Sequence, residues 1–305
     1  MGIMEGKSVL VTGAGRGIGR EVALDMAKAG AKVVVNDLGG GVEGEDVGES
    51  PAEQVVGEIK AAGGEAVANG DSVSDAAGAK AMVECAVDNF GAIDAVVNVA
   101  GILRDRMFHK MEEADWKAVI DVHLNGCFLV SRAAVDHMKN SGRGGAFVHF
   151  TSTSGLHGSI GQANYGAAKM GIAGMSKIIA MEGARYGVRS NCMAPFAWTR
   201  MIESIPITSE EMAESFRKFK ENATAAHIAP VVTYLCSDAA KDVTANIFGV
   251  RGNEIYLFSQ PRPIKTIHKG DGWDHESLAS HFEPSFRKEL LDLDGTAEYF
   301  TWDPI

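Results

Sequence analysis

The chain has 305 residues, of which 46% are hydrophobic and 23% are charged, and its formal net charge is −11. A chain of this size buries a full core without disulfide or metal support, so one large α/β domain is expected. The acidic balance, with no run of Lys or Arg, argues against a surface that neutralises phosphate backbones. Nucleic acid is therefore not expected as a partner.

The cysteine pattern and the terminal segments bear on the compartment. The four cysteines are far apart, with no CxxC pair and no His at ligand spacing, so we expect reduced, buried thiols and no metal site. They are Cys85, Cys127, Cys192 and Cys236. Residues 1–6 show no signal-peptide pattern, residues 302–305 match no targeting motif, and no apolar stretch approaches the ~20 residues of a membrane helix. We expect a cytoplasmic protein without a membrane partner.

Short β-branched runs alternate along the chain with longer helical patterns. This alternation is typical of βαβ units, and the continuous apolar runs 9–11 and 33–35 are typical of buried parallel strands. The predicted strands are Ser8–Thr12, Lys32–Asp37, Glu65–Asn69, Ala92–Asn98, Ala146–Thr151, Arg189–Met193 and Ile247–Val250, and the predicted helices lie near 18–29, 52–62, 75–90, 113–140, 164–186 and 226–237. The predicted fold is α/β, a doubly wound parallel sheet of the Rossmann type.

Two segments fall outside this alternation. Residues 38–51 are rich in Gly and acidic side chains and are expected to form a surface loop. Residues 259–305 contain four prolines but also many aromatic side chains, which argue against plain disorder. We expect a single domain over residues 1–258, with 259–305 as a C-terminal extension that packs on the domain or on a neighbouring subunit.

A glycine-rich loop follows the first predicted strand. It reads Thr12-Gly13-Ala14-Gly15-Arg16-Gly17-Ile18-Gly19, and a helix begins at its last glycines. Glycines permit a tight turn and close backbone approach, and a helix N-terminus offers N–H groups to a pyrophosphate. The loop predicts a dinucleotide site, with an ordinary strand-to-helix turn as the alternative.

Polar residues follow the next strands at the edge where ligands of open α/β sheets bind. Asp37 ends the second strand, where a carboxylate accepts hydrogen bonds from an adenosine ribose and repels a 2′-phosphate. NAD is therefore favoured over NADP, although Arg16 could reach a phosphate and Asp37 could instead cap a loop. Asp71 and the segment 98–101 end the third and fourth strands.

Three side chains in the second half of the chain form a candidate catalytic group. Tyr165 and Lys169 are four residues apart on a predicted helix and share one face, and Ser152 ends the fifth strand. An ammonium beside the phenol, together with a positive nicotinamide, is expected to lower the pKa of Tyr165 towards working pH. Tyr165 would then remove an alcohol proton, Lys169 would hold the nicotinamide ribose, and Ser152 would bind the substrate oxygen.

Taken together, TGAGRGIG, NVAG and a Ser thirteen residues before the Tyr of NYGAAK resemble the short-chain dehydrogenase/reductase family over about residues 5–250. The resemblance implies reversible hydride transfer between an alcohol carbon and a nicotinamide, without a metal. It also implies a homodimer or homotetramer formed through the long helices near 113–140 and 164–186. The cofactor-binding residues that we predict are Gly13, Gly15, Arg16, Gly17, Ile18, Gly19, Asp37, Asp71, Ser72, Asn98, Ala100, Gly101, Tyr165, Lys169 and Pro195.

A narrower set of motifs points to a substrate class. VVVNDLGG, AGILRDRMF, DVHLNG and GQANYGAAK are similar to the (3R)-hydroxyacyl-CoA dehydrogenase domains of peroxisomal multifunctional enzymes of type 2. The resemblance implies a fatty or steroid-derived (3R)-hydroxyacyl-CoA as substrate. The alternatives are a free hydroxysteroid and, from a different class, an NAD-binding regulator that has lost turnover.

Two residues depart from the broader family pattern. His123 stands where many members have an Asn that holds a water of the proton relay. Because imidazole titrates near neutrality, we count His123 as a candidate catalytic residue that positions a water or relays a proton, with a structural hydrogen bond as the alternative. Phe196 replaces the Gly of the usual Pro-Gly pair and is expected to narrow the nicotinamide pocket.

The segment after the sixth strand is expected to form an apolar lid over the substrate. Its apolar side chains are Trp198, Met201, Ile202, Ile205, Ile207, Met212, Phe216 and Phe219. The alternative is an amphipathic helix that covers its own core. Arg200, Arg217, Lys218 and Lys220 lie among them and could contact CoA phosphates, although cations on a solvated helix face are equally expected.

Overall fold

One sheet lies at the centre of the protein. The structure, a computed structural model, describes residues 2–39, 50–197 and 209–304. The strands of these residues are β1 (Ser8–Thr12), β2 (Lys32–Asn36), β3 (Glu65–Asn69), β4 (Ala95–Asn98), β5 (Gly145–Phe150), β6 (Val188–Phe196), β7 (Ile247–Arg251) and β8 (Glu254–Leu257). Their order is β3-β2-β1-β4-β5-β6-β7-β8, and only the β7–β8 pair is antiparallel. The predicted doubly wound parallel sheet is confirmed.

Helices cover both faces of the sheet and complete the predicted alternation. They are α1 (Gly17–Lys28), α2 (Pro51–Ala61), α3 (Ala76–Phe90), α4 (Glu113–Ile120), α5 (Gly126–Ser141), α6 (Thr153–Leu156), α7 (Ala163–Gly183), α8 (Glu210–Asn222), α9 (Ala229–Cys236), α10 (His275–Phe286) and α11 (Thr296–Tyr299). A π-helical turn at Asp121–Asn125 joins α4 to α5. Side chains of Ser50 and Asp75 accept backbone N–H groups at the starts of α2 and α3, which fixes where these helices begin.

The central strands are buried on both faces, which explains their continuous apolar sequence. Val9 and Val11 pack into one core cluster together with Val22 of α1. Leu10, whose side chain points to the opposite face, packs into a second cluster with Met82 of α3. Alternate residues of one strand thus hold the two helical layers on the two sides of the sheet.

Two strand boundaries lie three residues from the predicted ones, and the other boundaries of the predicted strands differ by at most one residue. β4 begins at Ala95 rather than Ala92, because the preceding Asp94 turns its carboxylate to the Ser8 N–H at 2.9 Å. β6 extends to Phe196, which is in register with Arg251 at the end of β7. This longer strand carries Pro195 and Phe196 to the edge of the sheet where ligands bind.

The sequence analysis missed strand β8 and the helices of the extension. β8 is a short edge strand that follows β7 after a tight turn at Gly252, whose φ is +61°. Helix α10 begins at a capping box between Asp274 and Ser277, a local signal that could have predicted it.

Two expectations about composition need correction. Cys85 is only partly buried, whereas the other three cysteines are buried as predicted. The continuous helical stretch Glu113–Ser141 is 29 residues long, and its most apolar window has a mean hydropathy of 1.3, so it passes a length and composition test for crossing a membrane. Val119, Val130 and Met138 of this stretch are fully buried within the protein, as in a core helix.

Arg189 of β6 provides a stability prediction. Its guanidinium donates to the carbonyl oxygens of Leu235 and Ser237 at the end of α9, at 2.8 and 2.9 Å. Arg189→Met removes these donors and leaves carbonyls without partners, so the free energy of unfolding should fall by about 2 kcal/mol in chemical denaturation. The matched change at the exposed Arg287, which pairs with Glu283 on α10, should alter it by less than about 1 kcal/mol. Equal losses in the two variants would contradict this role of Arg189.

Candidate active site

A long cleft runs along the carboxyl edge of the parallel strands. Its volume is about 1830 Å³, larger than the ~300–1,000 Å³ of most small-molecule pockets. The glycine-rich loop lies on its lining, and so do the catalytic candidates His123, Ser152, Tyr165 and Lys169. The cleft therefore has room for a dinucleotide and a second bulky molecule.

The glycine-rich loop is shaped by close backbone contacts. Gly13 has a φ of +64°, and a Cβ there would lie 2.7 Å from the Cα of Ala100. A Cβ on Gly19 would collide with the carbonyl oxygen of Gly13. Helix α1 begins at Gly17, and no side chain caps its first turn. Gly17, Ile18 and Gly19 of this turn line the cleft, and the unpaired N–H groups of such a helix start fit the pyrophosphate of a dinucleotide.

Asp37 holds the loop and also lines the cleft. Its Oδ2 accepts the Gly15 N–H and its Oδ1 accepts the Gly39 N–H, both at 2.8 Å. The loop-capping alternative is therefore seen in the structure. Each carboxylate oxygen keeps acceptor capacity, so the same side chain fits a ribose as well. Gly15 itself lies behind Asp37 and does not line the cleft.

The remaining predicted cofactor residues separate into two groups. Arg16, Ile18, Asp71, Ser72, Ala100, Gly101 and Pro195 line the cleft. The side chain of Asn98, in contrast, is buried beneath it and bonds to Ser131 at 3.2 Å and His149 at 3.1 Å. This arrangement does not support a direct contact between the Asn98 side chain and a cofactor. The sequence placed the residue at the correct strand end but not the direction of its side chain.

Tyr165 and Lys169 project from α7 towards the end of β5, where Ser152 lies. The Lys169 Nζ is 5.4 Å from the centroid of the Tyr165 ring and donates to the carbonyl oxygen of Phe150 at 2.6 Å. The Thr151 hydroxyl donates to the Lys169 carbonyl at 2.7 Å, which ties α7 to the strand end. The structure thus brings the three predicted catalytic side chains together.

Burial dominates the titration of this group. It raises the pKa of Tyr165 to about 12, a hydrogen bond with Ser152 lowers that pKa, and the charge of Asp105 raises it. Burial also lowers the pKa of Lys169 to about 8. The expected lowering of the phenol pKa is therefore absent in the protein by itself, because desolvation penalises the phenolate.

His123 lies in the π-helical turn, directly against the catalytic tyrosine. The His123 and Tyr165 ring centroids are 5.1 Å apart in an edge-to-face arrangement. The His123 Nε2 lies 3.1 Å from the backbone nitrogen and 2.8 Å from the carbonyl oxygen of Ile102. Its Nδ1 is buried and has no hydrogen-bond partner among the described residues. A Cβ on Gly101 would collide with the imidazole, so only Gly fits beside it.

The electrostatics of His123 change the hypothesis about its role. Burial, and then the charge of Lys169, lower the pKa of His123 to about 3, while the backbone hydrogen bond with Ile102 raises it. The imidazole is therefore neutral at physiological pH, and a relay through its charged form is disfavoured. The structural hydrogen bond is present, and the positioning of a water by Nδ1 stays a prediction.

The predicted lid is described only in part. Residues 198–208 and the side chain of Met212 lie outside the described residues, so the predictions for Trp198, Arg200, Met201, Ile202, Ile205, Ile207 and Met212 stay predictions. Phe216 and Phe219 of α8 line the cleft. Arg217 pairs with Glu214 and Glu221, and Lys218 pairs with Asp303, as is equally expected for cations on a solvated helix face.

Several residues at the substrate end of the cleft were not predicted from the sequence. Asp105 accepts a hydrogen bond from Gln162 at 2.8 Å, and burial raises its pKa. Part of the C-terminal extension, around residues 292–300, also lines the cleft. The cluster of aromatic residues at 299–302 was the only sequence signal for this second contribution.

The fold and the site define a nicotinamide-dependent oxidoreductase, with a dinucleotide loop at one end of the cleft and a Ser-Tyr-Lys group at the other. The chain belongs to the short-chain dehydrogenase/reductase family, whose model, described as short chain dehydrogenase, matches residues 7–207. The resemblance inferred from the motifs is confirmed.

Three relatives narrow the comparison. The chain is 45% identical over 295 residues to a short-chain type dehydrogenase/reductase of Mycobacterium tuberculosis, with 96% of both chains covered. It is 46% identical over 238 residues to peroxisomal multifunctional enzyme type 2 of Mus musculus; 78% of this chain matches, but it spans only 31% of the mouse protein. A hydroxyacyl-CoA dehydrogenase of Mycobacterium tuberculosis is 35% identical, with 93% of this chain and 89% of that protein covered. The narrower resemblance is confirmed as well.

Solved structures agree with this placement. A short chain dehydrogenase from Mycobacterium avium is 40% identical and superposes with a TM-score of 0.82, covering 95% of this chain and 98% of its own. A 7α-hydroxysteroid dehydrogenase in complex with NADH and 7-oxo glycochenodeoxycholic acid is 28% identical, with a TM-score of 0.73. That match covers 82% of this chain and 94% of the dehydrogenase.

The buried neutral state of His123 leads to a prediction about acid stability. The folded-state pKa of His123 is about 3, below the usual 6.5 of an imidazole, so between these pH values the unfolded chain binds a proton that the folded one does not. Stability should therefore fall as the pH decreases from 6.5 towards 3. His123→Gln removes this titration, so the loss of unfolding free energy between pH 7 and pH 4.5 should shrink by about 2 kcal/mol.

Denaturation curves at several pH values measure this effect, with the solvent-exposed His109→Gln as the matched control. An unchanged pH dependence in His123→Gln would show that the imidazole takes up a proton in the folded protein as readily as in the unfolded chain. The same variant tests the water-positioning hypothesis, which fails if turnover and its pH profile equal those of the parent protein.

Proposed function

We propose that the protein catalyses NAD-dependent oxidation of the 3-hydroxyl of a (3R)-hydroxyacyl-CoA, fatty or steroid-derived, and the reverse reduction. The observation that carries the proposal is the convergence of Ser152, Tyr165 and Lys169 in one cleft with an uncapped helix N-terminus at its other end. The group has the geometry for removing a proton from an alcohol held beside a nicotinamide.

Each side chain has a role that follows from its surroundings. Ser152 holds the substrate hydroxyl next to Tyr165, which takes the proton, and Lys169 supplies positive charge from a buried position. The bound nicotinamide supplies the hydride acceptor. Because burial alone raises the pKa of Tyr165 to about 12, its activity as a base depends on positive charge close to the phenol.

The choice of NAD rests on Asp37. Its carboxylate lines the cleft at the end of β2, where it would repel the 2′-phosphate of NADP. Arg16 lines the same part of the cleft and could weaken the preference. The balance of the two side chains supports NAD, with NADP as the less favoured cofactor.

The relatives of the protein support the proposed substrate class. A mouse peroxisomal multifunctional enzyme and a mycobacterial hydroxyacyl-CoA dehydrogenase match most of this chain. A free hydroxysteroid is the second candidate, because Arg217 and Lys218 are already paired and the hydroxysteroid dehydrogenase described above shares the fold. An NAD-binding regulator without turnover is less favoured, since the three catalytic side chains are intact and adjacent.

We further propose that the protein is a homodimer or homotetramer assembled through α5 and α7. These helices expose Phe128, Ile178 and Met181 side by side around one groove, and an apolar surface of this kind is typical of a subunit interface. A cytoplasmic location remains part of the proposal.

The substrate class is tested by following NADH absorbance with purified protein and NAD. We expect turnover with (3R)-hydroxyacyl-CoA thioesters and at least ~100-fold lower kcat/KM with their 3S isomers. In the bound 3S isomer the hydroxyl and the C–H bond cannot both point to Tyr165 and the nicotinamide while the acyl chain and the thioester keep their places. Turnover confined to free hydroxysteroids would replace the proposed substrate by the second candidate. Tight NADH binding without turnover of any alcohol or ketone would support the regulator.

The cofactor preference is tested by Asp37→Asn and Asp37→Ser. Both changes remove the negative charge but keep an acceptor for the loop N–H groups, so kcat/KM for NADP relative to NAD should rise at least ~10-fold. Initial rates with the two cofactors measure the ratio. An equal loss with both cofactors would mean that Asp37 only holds the loop.

A further inference from the structure

The C-terminal extension crosses the substrate end of the cleft. Residues 292–303, which we call the strap, lie outside the segment that matches the family model. Leu293, Thr296 and Phe300 of the strap line the cleft together with the catalytic side chains. The extension therefore forms part of the lining where a substrate must lie.

Buried and paired contacts hold the strap in place. Arg251, whose side chain is 7% exposed, donates to the carbonyl oxygen of Trp302 and lies 3.4 Å from the Glu254 carboxylate. The Trp302 indole N–H donates to the same carboxylate at 3.0 Å. Asp303 pairs with Lys218 of α8 at 2.8 Å, so the strap is joined to both β7 and α8.

Aromatic contacts connect the strap to the end of β6. The rings of Phe300 and Phe196 are 4.5 Å apart in an edge-to-face arrangement. Phe196 follows Pro195 on β6, and both residues line the cleft. The neighbouring Tyr299 stacks on His157, which follows α6, with ring centroids 4.5 Å apart. The Phe196 ring therefore lies between Phe300 and the strand end where the nicotinamide is expected.

The surface of the strap suits the apolar part of a substrate. Leu293 and, on the loop after α6, Ile160 are about 90% or more exposed, yet both line the same cleft. Asp292 and Asp294 line it too, and their charges would repel phosphates. A chain or ring system without charge would cover the two aliphatic side chains, whereas a CoA head group would be repelled here.

Two polar atoms on this side lack a partner among the described residues. The His157 Nδ1 and the Thr296 Oγ1 are buried without a hydrogen bond. Their segments touch, since a Cβ on Gly295 would lie 3.3 Å from the carbonyl oxygen of Gly158. Buried polar atoms are nearly always satisfied in folded proteins, by protein groups or by water, so water or a polar group of a bound molecule would complete this part of the lining.

We propose that the strap is the specificity-determining wall of the active site and that Phe300 contacts the apolar part of the substrate remote from the reacting carbon. Arg251 is the positioning residue that holds this wall against the cleft. The inference rests on the proposed function only in requiring a secondary alcohol as substrate, and it holds with or without a CoA group.

Phe300→Ala and Phe300→Leu test the contact. The probes are (3R)-hydroxyacyl-CoA of four and of twelve carbons and, as a CoA-free series, secondary alcohols of four and of twelve carbons. Phe300→Ala should lower kcat/KM for the twelve-carbon probe at least ~10-fold and change that for the four-carbon probe less than ~2-fold, because only the long chain reaches the strap. Phe300→Leu should recover most of the loss. Phe282→Ala, an exposed Phe of the same extension on α10, is the matched control and should resemble the parent protein.

Hydrogen exchange supplies a readout that does not depend on turnover. Amides of the strap should exchange more slowly when the twelve-carbon hydroxyacyl substrate and NADH are both bound, a combination that cannot react, and Arg251→Met should speed their exchange at least ~10-fold in the free protein. Equal losses for short and long probes, or no protection of the strap, would overturn the proposal. Turnover of the alcohols but not of the thioesters would reject the CoA substrate. In that case a selective loss of the twelve-carbon alcohol in Phe300→Ala would support the strap, and equal losses of both alcohols would overturn it.

Discussion

The buried ammonium of Lys169 is the charge around which the active site is built. It donates to the Phe150 carbonyl at the end of β5, and Thr151 ties the same residue back to the strand. Burial lowers its pKa from 10.5 to about 8, so holding it charged costs roughly 3 kcal/mol below pH 8, and this penalty vanishes as the pH rises towards 10.5. The rest of the fold must offset this penalty, which the apolar packing of the sheet and its helices does.

The same desolvation sets the states of the neighbouring groups. It raises the pKa of Tyr165 and lowers that of His123, so the free protein holds a neutral phenol beside a neutral imidazole and one cation. Such a site resists ionisation until a further positive charge arrives, and an oxidised nicotinamide is positive. Proton removal is thereby coupled to cofactor binding through the low dielectric around Tyr165.

The sequence could predict the parts of this arrangement that have local signals. Val9-Leu10-Val11 is continuously apolar because β1 is buried on both faces, and Tyr165 and Lys169 meet because four residues make about one helical turn. The direction of the Asn98 side chain could not be predicted, since it depends on Ser131 and His149 from distant segments. Nor could the strap, because its contacts join residues far apart in the chain, Arg251 with Trp302 and Phe196 with Phe300, without periodicity. The pKa of His123 depends on burial, which a local motif does not contain.

The residues that could be predicted from the sequence and those that could not have different roles in the site. The family match ends at residue 207 and contains the loop, Asp37 and the three catalytic side chains, all of which handle the cofactor and the hydroxyl common to many substrates. Arg251 and the strap lie beyond it and line the end of the cleft where substrates differ. A fold that keeps its chemistry on rigid strand ends can change its substrate by altering a terminal segment, because that segment contributes little to the central core. Anchoring the segment through a buried Arg then restores the rigidity that a specific binding surface requires.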